Sequence, residues 1–407
     1  MRLVSLLCLF VSMAVSVLAE PIIVNNPAQP ANGIVEMQLT EQWRAGGPDD
    51  DENFFGQITR AEIDAEGLLY VMDSQLCEVS VYDENGTRIK SLFREGEGPG
   101  EVRQPRDLVV FPDGTIGAVQ EFPGKIIRVD SDGNPASSIT PNTGDPTAGG
   151  LTALISAEHR GGTFMASGLL IRPGERQGQQ NRTMYLSTID SEGLISKQLL
   201  SQTVTWDFAN FMYDEEESLP SFWWLSAVGP EGKIYSVPDR NAYRINIYSA
   251  DGTLERVVER DYKSLTRTAD DRAWMTALLG GALSNVPFEV NFKIADTEPA
   301  IRWLNRGLQV DNDGNIWILS TRGMREQPTG VMATLDVFDK AGRFDQQVQV
   351  MCPDGDASED GIFLLGDDRL LLIKGYVDAM AASLGGGVIE DDGEAVPMEL
   401  VCYSIRR

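Results

Sequence analysis

The chain has 407 residues, with 61 acidic side chains against 34 basic ones, a net charge of −27 and one histidine. Acidity of that size repels phosphate backbones and anionic lipid at long range, which excludes nucleic acid and membrane surfaces as expected partners. A single imidazole excludes every histidine-rich metal site and leaves a Ser-His-Asp triad only one position to use.

Residues 1–19 carry one base, Arg2, an apolar run from Leu3 to Leu18, and Val17-Leu18-Ala19 ahead of Glu20-Pro21. This is the pattern of a secretory signal peptide cleaved near Ala19. No later stretch is apolar for long enough to span a bilayer. The expected product is extracytoplasmic, periplasmic or secreted, with a linker over 20–33 and one domain over 34–407. Three cysteines then remain, Cys77, Cys352 and Cys402, without C-x-x-C spacing. They read as buried thiols, and their pairing stays open. His159, in "SAEHRGGTF", reads as a turn residue ahead of a strand.

From residue 34 onward the chain is organised by repetition. "IVEMQLTEQW" (34–43) is a strand without a hairpin mate, and then "IDAEGLLYVMD" (63–73) joins an Asp-x-x-Gly turn to an alternating strand. The phrase returns as "VFPDGTIGAVQ" (110–120) and "VDNDGNIWILS" (310–320), with weaker copies starting at Ala157, Val228 and Leu364. Behind most copies lies a second hairpin phrase, such as "VSVYDENGT" at Val79 or "LDVFDKAGR" at Leu335. Two hairpins in tandem give four antiparallel strands per repeat. The last unit stops at "ELVCYSI" without an outer strand, and residues 34–43 are expected to supply it. Between the fourth and fifth units, "LTRTADDRAWMTALLGGAL" (265–283) reads as a helix N-capped by Thr268.

The fold expected is therefore all-β, a six-bladed β-propeller whose N-terminal strand closes the last blade, with a helical insertion between blades four and five. With "FFGQI" before the first copy, "GEGPGE" between blades one and two and "DNDGNIW" in blade five, the chain resembles the secreted bacterial six-bladed propellers of the NHL-repeat and TolB-like group. The resemblance implies the fold and leaves function open, since the architecture hosts binding modules, lactonases and lyases.

Glycine-rich "GEGPGE" is not a phosphate cradle. Gly96, Gly98 and Gly100 have the wrong spacing, Pro99 has no amide hydrogen, and three glutamates would repel an anion. An EF-hand register around Asp311 would place Gln309 first and Ser320 twelfth, where carboxylates are needed. Both stretches read as turns and crossings.

In a propeller the A–B and C–D turns share one face, and the B–C and D–A connections share the other. The insertions 140–150, 168–182, 201–220, 261–299, 322–330 and 375–397 all map to the second face, which makes it the functional candidate. Candidate ligand-binding residues there are Asp73, Gln120, Glu121, Trp206, Trp223, Trp224, Asp239, Arg240, Arg322 and Lys374. Aromatic side chains beside carboxylates suit a sugar or a cation. No catalytic motif is evident. The function expected is a ligand- or protein-binding module for a protein, a polar small molecule or a glycan, with no cofactor. The alternative is a cation-dependent hydrolase, lactonase or lyase with carboxylates, and calcium, in the channel.

Overall fold

Each Asp-x-x-Gly phrase is a reverse turn closed by its own aspartate. At the first, Gly67 N donates to Asp64 O at 3.2 Å and Leu68 N to Asp64 Oδ1 at 2.8 Å, while Gly67 takes φ +88°. A side chain would oppose that φ, so glycine ends the turn. The computed structural model describes residues 20–48, 50, 53–142, 149–304, 306–325, 327–366, 368–383 and 397–406. The expected signal segment 1–19 and parts of the expected 140–150 and 375–397 insertions lie outside them.

Strands β1 (Ile22–Asn26) and β2 (Ile34–Gly46) precede a series of antiparallel meanders. The first is β3 (Ile58–Ile63), β4 (Leu69–Asp73), β5 (Glu78–Tyr82) and β6 (Arg88–Leu92). Next come β7 (Pro105–Val110), β8 (Ile116–Gln120) and β9 (Lys125–Val129), then β10 (Leu151–Arg160), β11 (Thr163–Pro173), β12 (Gln179–Ile189) and β13 (Ile195–Asp207). Short β14 (Met212–Asp214) and α1 (Glu215–Ser218) lead to β15 (Ser226–Val228), β16 (Ile234–Ser236), β17 (Arg244–Tyr248) and β18 (Leu254–Arg260). Helix α2 (Ala269–Ala282) and β19 (Asn291–Lys293) follow. The chain ends through β20 (Leu308–Val310), β21 (Ile316–Ile318), α3 (Thr321–Met324), β22 (Val331–Phe338), β23 (Phe344–Met351), β24 (Gly361–Leu365), β25 (Arg369–Lys374), α4 (Tyr376–Ser383) and β26 (Glu399–Arg406).

The meanders pack face to face in chain order. Tyr70, Met72 and Val79 meet Leu108, Ile116 and Ile127, while Val109 and Val119 meet Leu154 and Phe164. Similar clusters carry the succession onward. The β24–β26 sheet returns to the first, where Phe363, Leu371 and Leu400 pack on Ile58, Leu69 and Tyr82. Innermost strands touch in the same order, β3 to β7, β7 to β10, β10 to β15, β15 to β20, and β24 back to β3. The arrangement is propeller-like.

Strand β2 belongs to two sheets at once. Ile34–Gln38 run parallel to β23, and Gln38–Gly46 run antiparallel to β26, which fuses the last two meanders into one eight-stranded sheet. β1 adds to β18 in parallel. Helix α2 begins in a capping box: Asp271 N donates to Thr268 Oγ1 at 3.1 Å and Thr268 N donates to Asp271 Oδ2 at 2.8 Å. Among the described residues no helix is long and apolar enough to cross a membrane. Cys77, Cys352 and Cys402 are buried free thiols.

Two expectations change. His159 lies inside β10 rather than in a turn, packed against Phe111 and Phe164, because the turn itself is Gly161-Gly162. Residues 168–182 are largely strand rather than loop: β11 and β12 pair in register from Met165–Thr188 out to Pro173–Gln180. Their alternation continues past the rim, so the hairpin lengthens instead of breaking into coil.

Candidate functional site

Strands β3, β7 and β10 carry ionisable residues among apolar ones, and Arg60, Asp107 and Glu158 meet between them. Arg60 Nε donates to Glu62 Oε1 at 2.6 Å, and lies 3.5 Å from Asp107 Oδ1. Its terminal nitrogen lies 3.5 Å from Glu158 Oε2. Arg306 closes the group from the segment before β20, 3.8 Å from Glu62 Oε1. Two guanidiniums thus face three carboxylates.

Burial sets the protonation of this cluster. It would lower the Arg60 guanidinium, but Asp107, Glu62 and Glu158 more than reverse that. Asp107 and Glu158 are pushed above the usual carboxylate range by burial, with Arg60 opposing. Arg306 is lowered by burial and by the neighbouring Arg60. Asp107 is held by main-chain donors, accepting from Leu108 N at 2.9 Å and Ala157 N at 3.1 Å. The Glu158 carboxylate accepts no hydrogen bond from any described residue, and Arg306 Nη1 is buried without a hydrogen-bond partner. Arg306 also holds φ +53°, a left-handed conformation that costs about 1–3 kcal/mol outside glycine.

On the loop-rich side of the cluster lies a cavity of about 290 Å³. Its floor is Arg60, Asp107, Glu158 and Arg306, and its walls include Trp223, Trp224 and Trp303. The indoles form a run: Trp223 and Trp224 meet edge-on at 5.4 Å, and Trp224 and Trp303 at 4.8 Å. Leu278, Leu279 and Ala282 of α2 and Tyr376 and Met380 of α4 also line it. Arg106 and Glu121 pair at 2.5 Å along one wall. A larger space of about 790 Å³ opens on the opposite, hairpin side and shares Arg60, Glu158 and Arg306 with the first. It is rimmed by turns such as 63–67 and 110–114. The smaller cavity is the better-built site, because its apolar walls come from separate elements that converge over one ionic floor.

Of the residues singled out in the sequence, Glu121, Trp223 and Trp224 reach this cavity. Trp223 is fixed by its Nε1, which donates to Gly168 O at 3.0 Å. The others serve the framework. Asp73 is buried and accepts from the amides of Gly56, Gln57, Gln75 and Leu76, which ties the chain before β3 to the end of β4. Gln120 accepts from Arg103 N at 3.0 Å. Trp206 is buried beneath α2 with Phe211 and Tyr213, its face covered by Arg182 at 3.3 Å. Asp239 caps a turn by accepting from Asn241 N at 2.8 Å, and Arg240 pairs with buried Glu215 at 3.0 Å. Arg322 Nε donates to Lys263 O at 2.7 Å, and Lys374 lies at the end of β25, opposite Glu399.

The floor lies away from the outer ends of the second strands, where the sequence candidates cluster. Three of its four residues sit on first strands, in "ITRAEI", "PRDLVV" and "LISAEHR", and Arg306 stands just ahead of one. A charged residue inside an innermost strand was the available signal. The two stretches weighed as ligand loops are structural. Glu101 fastens "GEGPGE" by accepting from Gly98 N and Arg94 Nε, both at 2.8 Å, in the crossing from β6 to β7. Asp311 accepts from Asp313 N at 3.0 Å and Asn315 N at 2.8 Å within its own turn. Among the described residues, no group of three or more His, Cys, Asp or Glu is arranged to hold a metal.

The fold and site define a propeller-like protein with an occupied ionic centre. No family model matches the chain, and no curated protein matches it. Among solved structures it is similar to a Bacteroides fragilis protein described as exported, at 12% identity and a TM-score of 0.50, covering 95% of this chain and 100% of that one. It is also similar to a calcium-binding protein, regucalcin, from Agrobacterium tumefaciens, at 11% identity and a TM-score of 0.42, covering 92% and 97%. Streptogramin B lyase follows at 13% identity and 0.37, covering 83% and 80%. Likeness this remote concerns the fold.

Proposed function

We propose that this chain is an exported six-bladed propeller that binds a small amphiphilic ligand in the tryptophan-walled cavity. In this reading residues 1–19 direct export, the meanders are blades of one ring, β2 closes it, and α2 and α4 roof the binding space. The carrying observation is the convergence of Trp223, Trp224 and Trp303 above the Arg60–Glu158 floor. A volume of about 290 Å³ stands at the lower end of small-molecule sites, which run from ~300 to 1,000 Å³. Binding is favoured over turnover because Arg60 fills the point where the carboxylates converge.

A second reading, a hydrolase, lactonase or lyase, draws support from Asp107 and Glu158, whose burial favours the protonated form that a general acid needs. Calcium would enter this reading only if it competed with Arg60 for the carboxylates. One experiment separates the two. The purified protein is titrated calorimetrically with a panel of small aromatic amphiphiles, and the same solutions, which include esters and lactones, are assayed for product with and without calcium. Saturable heat without product supports a binding protein; turnover abolished in Asp107→Asn or Glu158→Gln would replace that reading with the enzyme.

A further inference from the structure

Three carboxylates, Glu62, Asp107 and Glu158, surround the two guanidiniums of Arg60 and Arg306, and of the three Asp107 and Glu158 line the cavity. With every group ionised this cluster of five carries one negative charge in excess. That charge is not spread evenly. Glu62 accepts from Arg60, and Asp107 accepts from two main-chain amides. Glu158 alone accepts no hydrogen bond from a described residue, although it is only 16% exposed and lines the cavity. A carboxylate removed from bulk water and left without donors is a group waiting for one.

Beside it stand the indoles. An indole face attracts a cation through its ring quadrupole, and the attraction strengthens when water is excluded. Trp206 already shows this use within the chain, with Arg182 over its ring at 3.3 Å. Among the described residues no arginine covers Trp223, Trp224 or Trp303 in this way, and they line the cavity that Glu158 floors.

We propose that the ligand is an organic ammonium compound with an apolar or aromatic body, its cation held by Glu158 and its body against Trp223, Trp224 and Trp303. This rests on the binding function proposed above and specifies its ligand class. An N–H of the ammonium group would give Glu158 a hydrogen-bond donor, and its charge would offset the excess negative charge of the cluster. An anionic ligand would meet Asp107 and Glu158 in the same space. Arg306 Nη1, buried without a hydrogen-bond partner, and Arg106 on the wall would favour an anion, and the test includes that outcome.

The test compares three soluble probes of similar size by isothermal titration calorimetry: 2-phenylethylammonium, 2-phenylethanol and phenylacetate. The expected result is binding of the ammonium compound at least tenfold tighter than either of the others. In Glu158→Gln that preference disappears, while Glu158→Asp keeps most of it. Affinity for the ammonium probe should also rise with pH as Glu158 ionises, in a setting that includes Arg60 and Glu62 on β3, Asp107 on β7, Arg160 at the end of β10, and Arg306. Should Glu158→Gln fail to fold, the probe ranking and its pH course in the unmodified protein still decide. Equal binding of the alcohol, or tighter binding of phenylacetate, overturns the ammonium inference while the binding cavity stands. No saturable heat from any of the three overturns the cavity reading itself.

Discussion

Arg60 and Glu158 face each other at 3.5 Å from innermost strands two meanders apart, and among the described residues Arg60 is the only cation within 4 Å of both Glu158 and Asp107. Replacing it by methionine keeps much of its volume and removes the charge. Truncating one partner of a buried ion cluster costs about 3–5 kcal/mol. The deficit should depend on pH. Asp107 and Glu158 have folded-state pKa values above their unfolded ones, so their contribution is fully present below the unfolded values and is lost as pH rises through the folded ones. Without Arg60 to oppose burial, those folded values climb further. Urea unfolding of Arg60→Met from acid to neutral pH should show a gap to the unmodified protein that widens with pH; a constant gap would show that the carboxylates are not held by this charge.

Gly86 and Gly114 make a matched pair. Both have φ +79°, so alanine meets the same backbone strain, roughly 1–2 kcal/mol, at each. A Cβ at Gly114 meets nothing within 4 Å, whereas at Gly86 it would lie 2.5 Å from Trp43 Cγ. Trp43 belongs to β2. Gly86→Ala should therefore lose clearly more stability in thermal unfolding than Gly114→Ala, by about 1–3 kcal/mol for the overpacking. Equal losses would mean that Trp43 is free to move aside.

Trp206, singled out in the sequence as a candidate ligand-binding residue, lies in strand β13 and serves the core. It is buried with Phe211, Tyr213, Met275 and Leu278 under α2. Trp206→Ala should cost about 3–5 kcal/mol. Trp224→Leu, at a half-buried cavity wall, should cost less and weaken ligand binding more. Parallel melting curves and titrations of the two variants check the contrast.

The start of α2 offers a smaller, local test. Thr268→Ala removes the side-chain acceptor for Asp271 N and should lower stability by about 1 kcal/mol. Burial would raise the Asp271 carboxyl, but its bonds to Thr268 and Arg325 prevail and bring it to about 2. A lowered acid stabilises above its unfolded value and loses that contribution as pH falls, so the Asp271 contribution should fade from about pH 4 toward pH 2. Hydrogen exchange of the α2 amides across that range is the readout.

Turns and strands were legible in the sequence because their causes are local. Asp64 with Gly67, Asp130 with Gly133 and Asp339 with Gly342 each write their own geometry into four residues. The Thr268 cap is local in the same way. Residues 34–43 read as a strand because their alternation needs no partner, while β23 and β26, which flank it, lie some three hundred residues on. The ionic floor was not legible. Arg60, Asp107 and Glu158 stand 47 and 51 residues apart along the chain and become neighbours only when inner strands pack. Trp303 and Tyr376, which complete the walls, stand far along the chain from Trp223 and Trp224.

The dual pairing of β2 imposes an order on assembly. A strand made among the first fifty residues finds its hydrogen-bonding partners at 347–351 and 399–406. Pairings so distant in sequence are reached late and slowly, because the intervening chain must be ordered first. Until then Met37 and Ala45, both buried in the finished molecule, have no core to enter. A strand made among the first is thus the last to be seated, and the interval before seating is when a nascent molecule is most open to pairing with another copy of itself.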